Sequence, residues 1–240
     1  MNVVAVGAHP DDIEIGCGGA LLAHVARHDN VSFVVMTTGE RGPQASRSRI
    51  QEQHDAARLL DATVYWGKFE DGAIPDGRDA VEFIQSVLQE VGADIVYSHT
   101  PRDTHQDHRA TGLATLAAAR RSTSVLHYES PTSVDFAGQF FVDLDANLDN
   151  KLALIRSHAS QVLKNGLVDL DAVAALARYR GFQARVRLAE AFELGRFLWD
   201  LAEPAPPKVA QRGFESVEGY LHSRLYVAEP AGAIPTAAEE

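Results

Sequence analysis

An α/β fold of Rossmann-like type, a three-layer αβα sandwich with a mostly parallel sheet, is predicted by the alternation of apolar runs with helix-compatible segments. Strand-like runs occupy residues 3–8, 31–37, 62–66, 95–98 and 125–128, and helical patterns occupy 19–27, 49–60, 80–91 and 110–120. Parallel strands need crossover connections, and these helices supply them. A polar loop follows each of the first four strands. In a parallel sheet such loops gather at the carboxyl edge and converge on one crevice.

The first run, Val3-Val4-Ala5-Val6-Gly7-Ala8, is apolar almost throughout, as a strand buried on both faces is. It ends in His9-Pro10-Asp11-Asp12. Gly16, Gly18 and Gly19 then form part of a dinucleotide-type pattern, but acid stands where a pyrophosphate would sit. Close helix–strand packing at a tight turn is the better reading, with Glu14 expected to brace the turn through backbone amides. The second strand leads into Thr38-Gly39-Glu40-Arg41-Gly42, the third into residues 68–72, and the fourth into residues 99–108 with His105-Gln106-Asp107-His108. Beyond the fifth strand, helices are expected at 151–158 and 170–179. Residues 182–199 stay undecided between strand, for the partial alternation of Ala184, Val186, Leu188, Phe192 and Leu194, and helix, for their Ala, Leu and Glu content.

Ala202-Glu203-Pro204-Ala205-Pro206-Pro207 breaks any regular element. The expected organisation is a catalytic-size domain over 1–202 and an appendage over 203–240. Phe214, Tyr220, Leu221 and Leu225 of that appendage need a surface to cover, on their own domain or on a neighbouring subunit of a homo-oligomer. With 240 residues and 45% hydrophobic content, one full core is expected. No apolar run approaches the roughly 20 residues of a membrane span, and Met1-Asn2-Val3 lacks a basic leader, so no membrane association and a cytoplasmic location are expected. The net charge of −11 argues against a nucleic-acid partner. Cys17 is the only cysteine, so there is no intrachain disulfide and a metal would be held by nitrogen and oxygen.

The two clusters at strand ends read as such a metal site. Catalytic zinc takes three protein ligands, and His9, Asp12 and His108 can supply imidazole and carboxylate in that number. Asp12 alone would equally suit a helix cap; two histidines flanking an aspartate at a second strand end are harder to explain structurally. Asp11 and Asp12 are adjacent and cannot point the same way, so one can bind the ion while the other takes a proton from water. His105 is the remaining imidazole. With Asp107 or another carboxylate on its ring N–H, it would stabilise an oxyanion or protonate a leaving amine. Arg41 and Asp71, in the loops after strands two and three, are candidate substrate contacts.

The segment Ala8-His9-Pro10-Asp11-Asp12-Ile13-Glu14, Gly16-Cys17-Gly18-Gly19 and His105-Gln106-Asp107-His108 resemble the PIG-L/LmbE-like family of zinc-dependent N-deacetylases. Thr38-Gly39-Glu40, Arg49 with Glu52, Lys151 with His158 and Gln161, and Ala189-Glu190-Ala191-Phe192 extend the likeness along most of the chain. The resemblance implies His9, Asp12 and His108 as zinc ligands, Asp11 as general base, and His105 as general acid or oxyanion partner supported by Asp107. It also implies hydrolysis of the acetamide of a small-molecule amino-sugar substrate or conjugate. Asp61 departs from the pattern, standing where the family usually has glycine after Leu60. A two-His, one-carboxylate set also accepts Fe²⁺ or other divalent ions. Two rival readings are an amidase for a bulkier sugar–thiol conjugate and a non-catalytic sugar- or nucleotide-binding module.

Overall fold

The computed structural model describes residues 1–42, 46–75, 77–121, 124–164 and 168–198. The expected appendage at 203–240 lies outside them. The elements run β1 (Asn2–Gly7), α1 (Asp12–Ala26), β2 (Asn30–Val35), α2 (Ser46–Leu59), β3 (Thr63–Trp66), α3 (Arg78–Val91), β4 (Ile95–His99), α4 (Gln106–Ala118) and β5 (Ser124–Tyr128). After them come β6 (Phe140–Asp143), α5 (Leu148–Arg156), a π-helical turn (Ser160–Lys164), α6 (Leu170–Ala184) and β7 (Ala189–Arg196).

The seven strands form one sheet in the order β3-β2-β1-β4-β5-β7-β6. The first five are mutually parallel, with Val3 paired to Val31 on one side and to Ile95 on the other. β7 runs antiparallel to β5, and β6 antiparallel to β7. β1 is covered on both faces, which is why Val3, Val4, Ala5 and Val6 are all fully buried. Val4, Val6, Val34, Met36 and Val96 pack beneath Ile84, Val87 and Leu88 of α3 and Ala110 and Ala114 of α4. α1 and α5 pack against each other on the other face, and α6 lies against β7.

The undecided stretch resolves into both elements in turn. α6 continues to Ala184, Arg185 stops it in the left-handed region at φ 63°, and β7 begins at Ala189. The short edge strand β6 was not expected. Asp61 sits at φ 49°, which accounts for glycine being usual at that position in the resembled family.

α1 is not one continuous helix. Cys17, at φ −139° and ψ 15°, interrupts it and frees backbone groups on either side. The Glu190 carboxylate from β7 accepts from the amides of Gly19 (2.8 Å) and Ala20 (2.7 Å), so it caps the second segment. Lys151 Nζ donates to both the Ile15 carbonyl and Glu190, each at 2.6 Å. The glycines here serve packing, as expected. A Cβ on Gly16 would lie 2.1 Å from the Tyr128 ring, and one on Gly19 would lie 2.2 Å from Leu144. Among the described residues no helix is long and apolar enough to cross a membrane.

Candidate metal centre

β1 delivers His9-Pro10-Asp11-Asp12 to the carboxyl edge of the sheet, and β4 delivers His99 with the loop that starts α4. The first turn closes on itself. The His9 amide donates to Asp12 Oδ2 at 2.7 Å, and Asp11 adopts φ 93°, a strained conformation for a residue with a side chain. Two residues one turn apart on α2 hold it there. Arg49 Nη2 donates to the Pro10 carbonyl (2.8 Å), and Gln53 Oε1 accepts the Asp11 amide (3.3 Å).

Two imidazoles face the Asp12 carboxylate, with His9 Nδ1 at 3.3 Å from Oδ2 and His108 Nε2 at 3.4 Å from Oδ1. Their outer nitrogens are held by other carboxylates. His9 Nε2 bonds Asp71 and Asp107, each at 3.1 Å, and His108 Nδ1 bonds Asp103 at 3.2 Å. His99 Nε2 lies 3.1 Å from Asp12 Oδ2, and its ring stacks on His108 at 4.0 Å. His105 stands beside both, with ring centroids 4.9 Å from His9 and 4.5 Å from His108.

Burial disfavours charge on His9, yet the carboxylates of Asp107, Asp12 and Asp71 outweigh it and hold its pKa well above 6.5. Likewise Asp12 and Asp103 overcome burial and raise His108 to about 9. Asp12 is buried too, but His108 and His99 keep it well below the usual carboxylate range. Burial and the His108 charge push His99 down to about 4. The environment therefore favours positive charge at the point where His9, Asp12 and His108 meet. Imidazoles whose outer nitrogens rest on carboxylates, with inner nitrogens turned to a shared carboxylate, are the arrangement that metal-binding histidines use. Among the described residues, three overlapping sets place their donor atoms within 4.8 Å of one another and fit a divalent ion: His9, His105 and His108; Asp12, His99 and His108; and His9, Asp71 and Asp107. The expected ligands His9, Asp12 and His108 all belong to these sets but do not form one of them.

Asp11 stands next to this point. Burial, and then the Asp12 charge, raise it to about 6, against the opposing charges of His158 and Arg49. Arg49 Nη2 is 3.7 Å from its carboxylate. Gln53 links the Asp11 amide to Glu14, donating to Glu14 Oε1 at 2.6 Å; Glu14 Oε2 faces His158 at 3.3 Å. Glu14 thus braces side chains of neighbouring elements and not the glycine turn.

One expected partnership changes. The Asp107 carboxylate does not hold His105; it accepts from His9 Nε2 and from the amides of Gly72 (2.6 Å) and Ile74 (3.2 Å). Only the backbone of Asp107 reaches His105, donating to Nδ1 at 3.2 Å. That leaves Nε2 as the proton-bearing nitrogen, and burial with the charges on His108 and His9 lowers the His105 pKa, so the ring is neutral. Asp71, expected as a substrate contact, lines the cavity, and its oxygens accept from His9 and from the Arg41 amide at 3.0 Å. The Arg41 side chain reaches the cavity rim, paired with exposed Glu70. Cys17 donates to the Ile13 carbonyl, away from the cluster. Asp103, His99 and Gln53 were not singled out by sequence; a histidine ending the apolar run Ile95-Val96-Tyr97-Ser98 was the available signal for His99.

Residues 4–119 match the family described as PIG-L, GlcNAc-PI de-N-acetylase. A relative from Escherichia coli K12 named uncharacterized deacetylase YaiS is 30% identical over 168 residues, spanning 66% of this chain and 91% of its own. The chain belongs to the PIG-L family. Two further proteins are similar to it. Diacetylchitobiose deacetylase of Thermococcus kodakarensis is 25% identical over 187 residues, 67% of this chain and 70% of that one. The crystal structure of the conserved protein TT1542 from Thermus thermophilus superposes with a TM-score of 0.74 at 25% identity, covering 85% of this chain and 99% of the other. As a PIG-L protein the chain is an enzyme of the deacetylase type.

Proposed function

We propose that the chain hydrolyses the acetamide of an N-acetylated amino sugar or its conjugate, with His9, Asp12 and His108 holding a divalent ion, zinc being the ion the donor set suits best. The observation that carries this reading is the pair of imidazoles on one carboxylate, each with its outer nitrogen on another, beside a buried Asp11. A bound ion supplies a Lewis acid at the acetamide carbonyl and makes nearby water more acidic. The remaining work belongs to the chain. Asp11, its pKa raised to about 6, takes a proton from water as the water oxygen bonds to the carbonyl carbon. Neutral His105, its Nδ1 fixed by the Asp107 amide, donates from Nε2 to the carbonyl oxygen as negative charge grows there. When the carbon–nitrogen bond breaks, the proton on Asp11 passes to the departing nitrogen, giving acetate and a free amine. Arg41 at the rim is in reach of a substrate hydroxyl or anionic group.

The test is acetate release from a panel of N-acetylated amino sugars before and after chelation. Activity should vanish with chelator and return on adding Zn²⁺ or another divalent ion. Turnover indifferent to chelation would remove the metal from the reading.

A further inference from the structure

β4 ends in His99, whose side chain is fully buried and does not line the cavity onto which His9, Asp11, Asp12 and His108 open. It is out of a substrate's reach, yet it meets the centre from behind. Its Nε2 lies 3.1 Å from Asp12 Oδ2 and 3.2 Å from the Ala8 amide nitrogen. The ring is clamped between His108, stacked at 4.0 Å and 13°, and Tyr128 at 4.7 Å, whose hydroxyl donates to the Val6 carbonyl. The His99 carbonyl accepts from His127 Nδ1 at 2.8 Å, so backbone and ring are both fixed.

One nitrogen cannot serve both neighbours. A bare Nε2 would accept from the Ala8 amide but set its lone pair against a carboxylate oxygen, and it would leave a proton on buried Nδ1, which has no partner among the described residues. A protonated Nε2 takes this acceptor away from the Ala8 amide instead. Each choice costs one buried N–H its partner, so electrostatics decides. Only the protonated Nε2 turns the 3.1 Å contact into a charge-assisted hydrogen bond. Asp12 Oδ2 then accepts twice, from His99 and from the His9 amide at 2.7 Å, which fills its two lone-pair sites. Oδ1, facing His108 Nε2 at 3.4 Å, is left for an ion.

We infer that His99 holds Asp12 to one-oxygen coordination and so makes the centre selective for zinc over larger, oxygen-seeking ions. The inference rests on the metal reading of the centre. Zinc favours a small set of imidazole and carboxylate ligands, whereas manganese takes six, mostly oxygens. A carboxylate free to offer both oxygens moves the site toward manganese; one locked by His99 does not. With its proton on Asp12, Nε2 of His99 is a positioning group and not itself a ligand, although it lies within reach of the Asp12 and His108 donors.

Chelator-competition titrations give the ratio of Zn²⁺ to Mn²⁺ affinity for the parent, His99→Leu and His99→Gln. Leu fills the space and donates nothing, and the ratio should fall at least about tenfold, the low end of what such outer partners are worth to metal affinity. Gln carries an amide N–H at the distance of Nε2 and should restore most of the ratio. General damage weakens both ions alike, so an unmoved ratio in His99→Leu, or an equal fall in both variants, overturns the inference. Nitrogen NMR of the metal-free parent needs no variant: the His99 proton should sit on Nε2, and a proton on Nδ1 alone overturns the hydrogen bond. X-ray absorption of the zinc-loaded parent and His99→Leu should count the same number of imidazoles; one fewer in the variant would make His99 a ligand and overturn its positioning role. A parent that binds neither ion overturns the metal reading itself, whereas one that binds zinc with a ratio indifferent to His99→Leu overturns this inference alone.

Discussion

Asp103 supports the proposed centre from one step away. Its carboxylate holds His108 Nδ1 and is itself held by Ser130 and by the His105 amide. Asp103→Asn should fold and yet bind metal about 10- to 100-fold more weakly in chelator competition, the usual cost of losing such a partner; unchanged affinity would deny Asp103 that role. Gln53 holds the amide of the strained Asp11. Replacing it with Leu should lower kcat by about tenfold or more, with metal content retained, since small displacements of a reacting group are costly. His127 concerns stability instead. Its Nδ1 donates to the His99 carbonyl (2.8 Å), its Nε2 is buried with no partner among the described residues, and burial lowers its pKa. A lowered folded pKa means the unfolded chain binds the proton first, so stability from this group is complete above about pH 6.5 and is lost as pH falls toward the folded value. Denaturation profiles of the parent and His127→Asn should therefore converge on acidification below that pH; a constant gap would contradict the assignment. His9, Asp11, Asp12, His105, Asp107 and His108 were legible because they stand in two short clusters at strand ends. Asp103 and Gln53 were not, because only packing brings them to His108 and Asp11. The partner of Asp107 was misjudged for a related reason. Successive residues at a helix start point about 100° apart, which turns its carboxylate from His105 toward His9.

At the level of elements, the broken helix α1 ties the centre to the far strands. Lys151 of α5 and Glu190 of β7 are both buried and satisfy the groups freed at Cys17. Lys151→Met would leave the Glu190 charge buried without its counter-charge, and the expected loss is about 3–5 kcal/mol in denaturant unfolding. A loss below about 1 kcal/mol would mean that the pair is not what holds the kink. The same two elements explain what sequence could not resolve. β1, β2, β4 and β5 announce themselves as apolar runs because their neighbours bury them on both faces, while the edge strand β3, only partly buried, shows through its β-branched and aromatic residues. β7 carries Glu190 and Glu193, residues that propensity assigns to helix. Both are spent on tertiary contacts, Glu190 on α1 and Lys151, Glu193 on Thr100 and Arg102. Half-buried β6 has only four residues and pairs with β7 alone, so it left little signal.

For the molecule as a whole, the sheet order decides where chemistry can occur. The chain winds outward from β1 through β2 to β3, then returns to β4 on the other side of β1. The gap between the carboxyl ends of β1 and β4 is thus the switch point at which open α/β sheets bind ligands. His9, Asp11 and Asp12 follow β1, and His105 and His108 follow β4, so the two clusters meet across that gap. α6 extends the same cavity, joining an antiparallel extension of the sheet to a site built on its parallel half. In the proposed mechanism Asp11 acts as the base beside an ion held by its neighbours. It is tested most directly by acetate release from an accepted N-acetyl sugar, comparing the parent with Asp11→Asn at equal, measured metal content. Turnover should fall by about 10²- to 10⁴-fold with metal still bound. A variant that carries its metal and turns over at the parental rate would contradict it.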